Sequence, residues 1–198
     1  YIISLLMTTA TKLPMKLSDR TINLLKNFAT INQSILFKQG NSLRTISVMK
    51  NILAEANIDE DFPQEFGVYD LSQFLNSLGL FHDPELNFTG DSFVNIKEGK
   101  QRSKYFFADP SVIVSPPEKS ITLPTVDVEF TLKSSQLDRL LKAAAVYHLT
   151  DLSVVGDGSE IKMVVADRKN DTSNDFSIVV GETDKKYQLN FKVENIKI

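Results

Sequence analysis

The chain has 198 residues, 42% of them hydrophobic, enough for one large domain or two small ones with packed cores. Its formal net charge of −3 excludes a protein that binds polyanions over its whole surface. The absence of cysteine excludes a disulfide framework and thiolate metal sites, and fits a reducing compartment.

At the start, Tyr1–Leu6 (YIISLL) is apolar but too short to span a bilayer, and no positive region precedes it as a signal peptide would need. Residues 1–14 are expected to be a leader or upstream extension, with folding from Met15. Met15–Asn32 (MKLSDRTINLLKNFATIN) then predicts an amphipathic helix from about Ser18, an N-cap candidate, to Ala29. Plotted at helical spacing, Lys16, Arg20, Asn23, Lys26 and Asn27 share one arc, opposite Leu17, Leu24, Leu25, Phe28 and Ala29. An acidic chain that gathers cations on one helix face is suited to a polyanion touching only that face; the alternative is an ordinary solvated exterior.

Strands are predicted at Ser34–Lys38 and Ser42–Met49 around a turn at Gln39-Gly40-Asn41. A further strand, Ile52–Ile58, is expected to end in a solvated acidic loop, Asp59-Glu60-Asp61, without metal ligands at useful spacing. After a strand at Glu65–Tyr69, Asp70 caps a helix with the apolar stripe Leu71, Phe74, Leu75, Leu78 and Phe81 and the uncharged opposite face Gln73, Asn76 and Ser77. Strands follow near Leu86–Phe88, Ser92–Lys97 and Lys104–Ala108. Four prolines in the sixteen residues Asp109–Pro124 predict an extended connector.

The pattern then returns. Val126–Leu132 reads as a strand and Ser134–Tyr147 as a helix burying Leu137, Leu140, Leu141 and Ala144, with Arg139 and Lys142 on its other face beside Asp138. Asp151–Val155 and Glu160–Ala166 form a hairpin around Gly156-Asp157-Gly158; Phe176–Val180 and Lys186–Val193 are expected to form another. Glu194–Ile198, with Lys197, is expected to open a fourth helix that the chain does not complete. The resulting division is an N-terminal domain at 15–110, a connector at 111–125 and an incomplete C-terminal domain at 126–198.

No phosphate loop, nucleophile elbow, HExxH or CxxC occurs. His82 and His148 are far apart in sequence, and no carboxylate spacing singles out an acid–base pair. No aromatic-and-basic interleaving of the kind that stacks unpaired bases is evident. The densest aromatic cluster, Tyr105-Phe106-Phe107, reads as core, or else as one wall of a partner-peptide groove whose other wall is Val112, Ile113 and Val114.

Residues 15–32 closely resemble the opening of the DNA polymerase sliding clamps of T-even-type tailed phages. The resemblance continues through Ala54-Glu55-Ala56-Asn57-Ile58, Val68-Tyr69-Asp70-Leu71 with Phe74-Leu75, and Ala108-Asp109-Pro110-Ser111, and more weakly through Leu137–Leu141. It implies an α+β sliding-clamp fold of repeated helix-plus-antiparallel-sheet units, helices on the inner face and sheets outside. It further implies a homotrimeric ring around duplex DNA that tethers the polymerase, works without cofactors or catalysis in the cytoplasm of an infected bacterial host, is loaded by an ATP-dependent clamp loader and supports late transcription. Lys16, Arg20, Lys26, Arg139, Lys142 and Lys197 would then face DNA, and partner tails would dock near the connector against Tyr105, Phe107, Val112, Ile113 and Val114. Residues 1–14 have no counterpart in the family, and the segments at 59–65 and 84–101 depart from it too far to carry contacts over. The competing readings are a non-ring interaction module derived from the same fold and an enzyme acting through carboxylates.

Overall fold

A computed structural model describes residues 13–119 and 124–196. The chain divides into two compact units whose boundary falls between Lys119 and Ser120.

In the first unit, helix α1 (Asp19–Ile31) is capped by Ser18, whose hydroxyl accepts from the Thr21 amide at 3.3 Å. Helical spacing turns Thr21, Leu25, Phe28 and Ile31 inward. Helix α2 (Leu71–Leu78) starts under Asp70, whose carboxylate accepts from the Gln73 amide at 2.8 Å, and buries Leu71, Phe74, Leu75 and Leu78. The strands are β1 (Ile35–Phe37) antiparallel to β4 (Phe66–Val68), β2 (Gly40–Ile46) antiparallel to β3 (Leu53–Phe62), and the meander β5 (Glu85–Asn87), β6 (Phe93–Glu98), β7 (Gln101–Phe106). Between them lies a phenylalanine cluster in which Phe37 stacks on Phe66 at 4.5 Å and tilts against Phe62 at 4.8 Å. Each buried ring contributes about 1.5–3 kcal/mol by area and up to ~1.5 more through its aromatic contacts.

That cluster explains two departures from the expected elements. β1 and β2 flank Gln39 but are not paired with each other: Phe37 takes its stacking partner from β4, 29 residues on, and Gly40 at φ 105° turns the chain away. The acidic run Asp59-Glu60-Asp61 lies inside β3, not in a loop, because Glu60 is bound under the start of α1.

In the second unit, helix α3 (Ser134–Tyr147) packs on the sheet of β8 (Asp151–Asp157), β9 (Glu160–Ala166), β10 (Asp175–Glu182) and β11 (Lys186–Lys192), in the order β10-β9-β8-β11. Leu140 and Ala144 are buried with Leu152, Val154, Ile161, Met163 and Val165; Leu137 and Leu141 are half-buried. His148, at φ 56°, ends the helix in the left-handed conformation. The β8–β9 turn is held by Asp157, whose carboxylate accepts from the Glu160 and Ser159 amides and from Lys162. Those amide and ammonium donors bring its pKa down to about 2.

Three expectations change here. Val126–Leu132 pairs with no strand, although alternate residues Val128, Phe130 and Leu132 do pack on the core. β10 and β11 do not form a hairpin; the chain crosses the β8–β9 tip and the two strands lie on opposite edges of the sheet. Each gains a hydrogen-bonded partner that way, which pairing only with each other would deny to β8 and β9. Where a fourth helix was expected, the described residues contain a 3₁₀ turn at Val193–Asn195.

Candidate functional site

The exposed face of α1 carries Arg20, Asn23 and Lys26. Lys16 is not part of the helix. It precedes the helix, next to Met15, which bridges to Leu86, and its ammonium pairs with Asp83; that hydrogen bond raises its pKa. Arg20 reaches Asp59 at 3.4 Å and the Asn57 carbonyl at 3.4 Å. Lys26 meets no carboxylate among the described residues. Beneath the helix start, the Glu60 carboxylate accepts from the Ser18 amide at 2.5 Å and the Thr21 hydroxyl at 2.6 Å. Burial opposes ionisation there, but these donors outweigh it and hold the carboxyl below its ordinary pKa. A carboxylate at this end also complements the helix dipole. On α3, Arg139 and Lys142 are exposed and form no ion pair among the described residues. Lys197 lies outside the described residues.

The first part of the connector is fastened to the first unit. Ala108 bridges to Gly67, where a Cβ would lie 2.6 Å from both the Ala108 carbonyl and Ile113, so only glycine fits. Ile113 is buried, Val114 half-buried and Val112 exposed. Asn32, itself buried, donates to the Ile46 carbonyl at 2.8 Å and the Val114 carbonyl at 3.3 Å while accepting from the Ser34 amide at 2.9 Å. Arg44 donates to the Pro117 carbonyl at 2.9 Å, and its Nε faces Glu55 at 3.1 Å outside hydrogen-bonding geometry. Between strands and connector is a cavity of about 190 Å³ lined by Leu36, Lys38, Ser42, Arg44, Ser115 and Pro116.

Over residues 16–115 the sequence matches the family described as DNA polymerase processivity factor. The sliding clamp of Vibrio phage KVP40 is 34% identical over 191 residues, covering 93% of this chain and 86% of that protein. The sliding clamp of Enterobacteria phage T4 is 33% identical over 183 residues, covering 89% and 79%. This chain belongs to the sliding-clamp family of DNA polymerase processivity factors. Its fold is shared with PCNA from Thermococcus kodakaraensis (TM-score 0.65, 16% identity, 93% of this chain and 83% of that one). It is shared also with A. fulgidus PCNA bound to the C-terminal region of FEN-1 (TM-score 0.62, 15% identity, 89% and 77%).

Tyr105 and Phe107 border a hollow of about 380 Å³ with Tyr69, Asp70 and Gln73, and also pack on the core, Phe107 against Phe66 at 4.8 Å. Burial, then the Asp70 charge, raises the Tyr105 pKa. The connector cavity is bordered by Leu36, Ser42 and Arg44, which sequence reading did not single out. Leu36 alternates between buried neighbours, Ile35 and Phe37, and only strand pairing shows where it points. Also missed was Glu60: an acidic triplet gives no sign that one member binds a helix start 39 residues earlier. Among the described residues no acidic or histidine group could hold a metal ion, and no helix is long and apolar enough to cross a membrane.

Proposed function

We propose that this sliding clamp closes as a homotrimer into a ring around duplex DNA and tethers a replicative DNA polymerase, without catalysis of its own. The observation that carries the proposal is that Arg20 and Lys26 on α1, and Arg139 and Lys142 on α3, are exposed on the non-core faces of their helices in a protein that is acidic as a whole. A ring retains DNA by topology, so its contacts need only be weak and directed at phosphates; contacts of that kind carry no sequence information and permit sliding. Lys16 and Lys197 belong to the same DNA-facing set, Lys16 only once it leaves Asp83.

Ring closure also needs a surface on each unit. β7 and β10 are edge strands with unpaired backbone groups. Antiparallel pairing of β7 from one subunit with β10 of the next would cover both edges, and a heterologous contact of this kind closes into a three-membered ring when each subunit turns by a third of a circle. Partner tails, the polymerase among them, would enter the connector cavity, with Val112, Ile113 and Val114 fixing the strap above it and Tyr105 and Phe107 supporting the wall. An ATP-dependent loader would open the ring, and late-transcription factors would share the docking site, all in the cytoplasm of an infected bacterial host.

Light scattering tests the ring. We expect a mass three times that of the chain at micromolar concentration, and a monomer after Ser177→Pro, which removes an edge donor from β10. A monomeric parent chain would reject the ring and favour the non-ring interaction module.

A further inference from the structure

Strand pairing assembles a basic and aromatic face that the linear sequence conceals. Along the solvent side of the β6–β7 hairpin, Phe93 stands opposite Phe106, Asn95 opposite Lys104, and Lys97 opposite Arg102; Val94, Ile96 and Tyr105 take the other side. Same-face neighbours are about 7 Å apart along a strand. Lys104 sits over the Phe93 ring at 4.2 Å and near the Phe106 ring at 5.8 Å. Towards the hairpin tip a hollow of about 370 Å³ is lined by Asn87, Thr89, Asn95, Lys97, Gln101 and Arg102, with no carboxylate in its lining.

The hollow presents donors without acceptors to match. The Asn87 amide nitrogen is buried with no hydrogen-bond partner among the described residues. Asn95 donates to the Thr89 hydroxyl at 3.0 Å, leaving that hydroxyl's own proton available. Arg102 forms no ion pair among the described residues, and Lys97 reaches only Glu85, at 3.9 Å. The nearby carboxylate of Glu98 is occupied by the His82 and Asp83 amides. A buried donor left unpaired is destabilising, so an incoming acceptor regains stability.

We propose that this face binds single-stranded nucleic acid, with a phosphodiester in the hollow and an unpaired base against the Phe93–Lys104–Phe106 end. Arg, Lys, Thr, Asn and Gln are the side chains that hold phosphate oxygens, and adjacent aromatic rings accept bases of any sequence. An acidic peptide would satisfy the cations but would leave the rings unused. The site is independent of the helix faces assigned to duplex DNA. Because it lies on the face of the sheet, backbone pairing along the β7 edge leaves it open.

The test is fluorescence anisotropy of a labelled oligothymidylate of about 12 nucleotides, within the site sizes of roughly 4–16 known for such surfaces, titrated with the full chain. Arg102→Glu should weaken binding about tenfold and flatten the salt dependence by about 0.7 in slope per lost phosphate contact. Arg102→Lys should restore most of the affinity, Asn87→Ala should weaken it about threefold by the loss of one neutral donor, and Lys169→Glu, a charge reversal at an exposed lysine of the second unit, should leave it unchanged. If Arg102→Glu fails to give the parent's circular dichroism, Arg102→Ala replaces it. Absence of binding by the parent chain, parent affinity in the Arg102 variant, or loss of binding through Lys169→Glu would overturn the assignment. So would a polyglutamate peptide that competes as strongly as unlabelled oligothymidylate at equal charge, which would make the face an acidic-peptide site.

Discussion

Helices α1 and α3 present similar basic faces but are held in opposite ways. α1 is fixed by polar groups at both ends, Glu60 under its start and Asn32 just past its finish, and its Arg20 already leans on Asp59. α3 rests on Leu140 and Ala144, with Gln136 accepting from the Lys133 amide at its start, and Arg139 and Lys142 meet no carboxylate among the described residues. In the first unit, then, helix stability and surface charge draw on the same carboxylate-rich strand. In the second they are separate, and its cations are available to a polyanion without surrendering a partner.

The largest way to break this contrast is Asn32→Leu, which strands the Ser34 amide and the Ile46 and Val114 carbonyls. We expect a loss of about 2–3 kcal/mol in urea unfolding, because buried polar groups lose their partners, and a connector more open to protease. Next is Arg139→Glu with Lys142→Glu. It should lower duplex affinity by more than about tenfold at physiological salt and flatten the log–log salt slope by about 2, at roughly 0.9 per phosphate contact, with no change in melting temperature. Arg20→Glu should do less, because Asp59 already offsets that charge.

Glu60→Gln should cost roughly 1 kcal/mol at neutral pH, as the Ser18 and Thr21 hydrogen bonds lose their ionic acceptor. The folded pKa of Glu60 lies below its ordinary value of 4.5. Its contribution is therefore complete above about that pH and fades as the pH falls through the folded value, so parent and variant should converge in acid-unfolding titrations. The smallest effect is Asp59→Asn. Releasing Arg20 should tighten duplex binding about two- to threefold, as expected for a weak exposed ion pair, and narrow the gap between the two helix faces.

Legibility in the sequence followed the range of the interactions. α1, α2 and α3 were readable because helical periodicity and caps such as Ser18 and Asp70 act within a few residues. The β8–β9 hairpin was readable because Asp157 and Gly158 specify the turn locally. The pairing of β1 with β4, the opposite placement of β10 and β11, and the seating of Glu60 against α1 are non-local choices settled by packing. Lys16 lies outside α1 for a related reason: a helical arc extrapolated past the N-cap ignores the bridge of Met15 to Leu86. The Phe93–Lys104–Phe106 group escaped notice because its members are neighbours only across a strand pair.

The central claim is that the two helix faces hold duplex DNA for a processive polymerase. It is tested most directly by product length in primer extension on a primed circular template, with a sliding-clamp-dependent phage polymerase and its loader. Parent chain should give long products, and Arg139→Glu with Lys142→Glu should give short ones while remaining folded and of unchanged oligomeric mass. Long products from that variant would contradict the assignment of these faces.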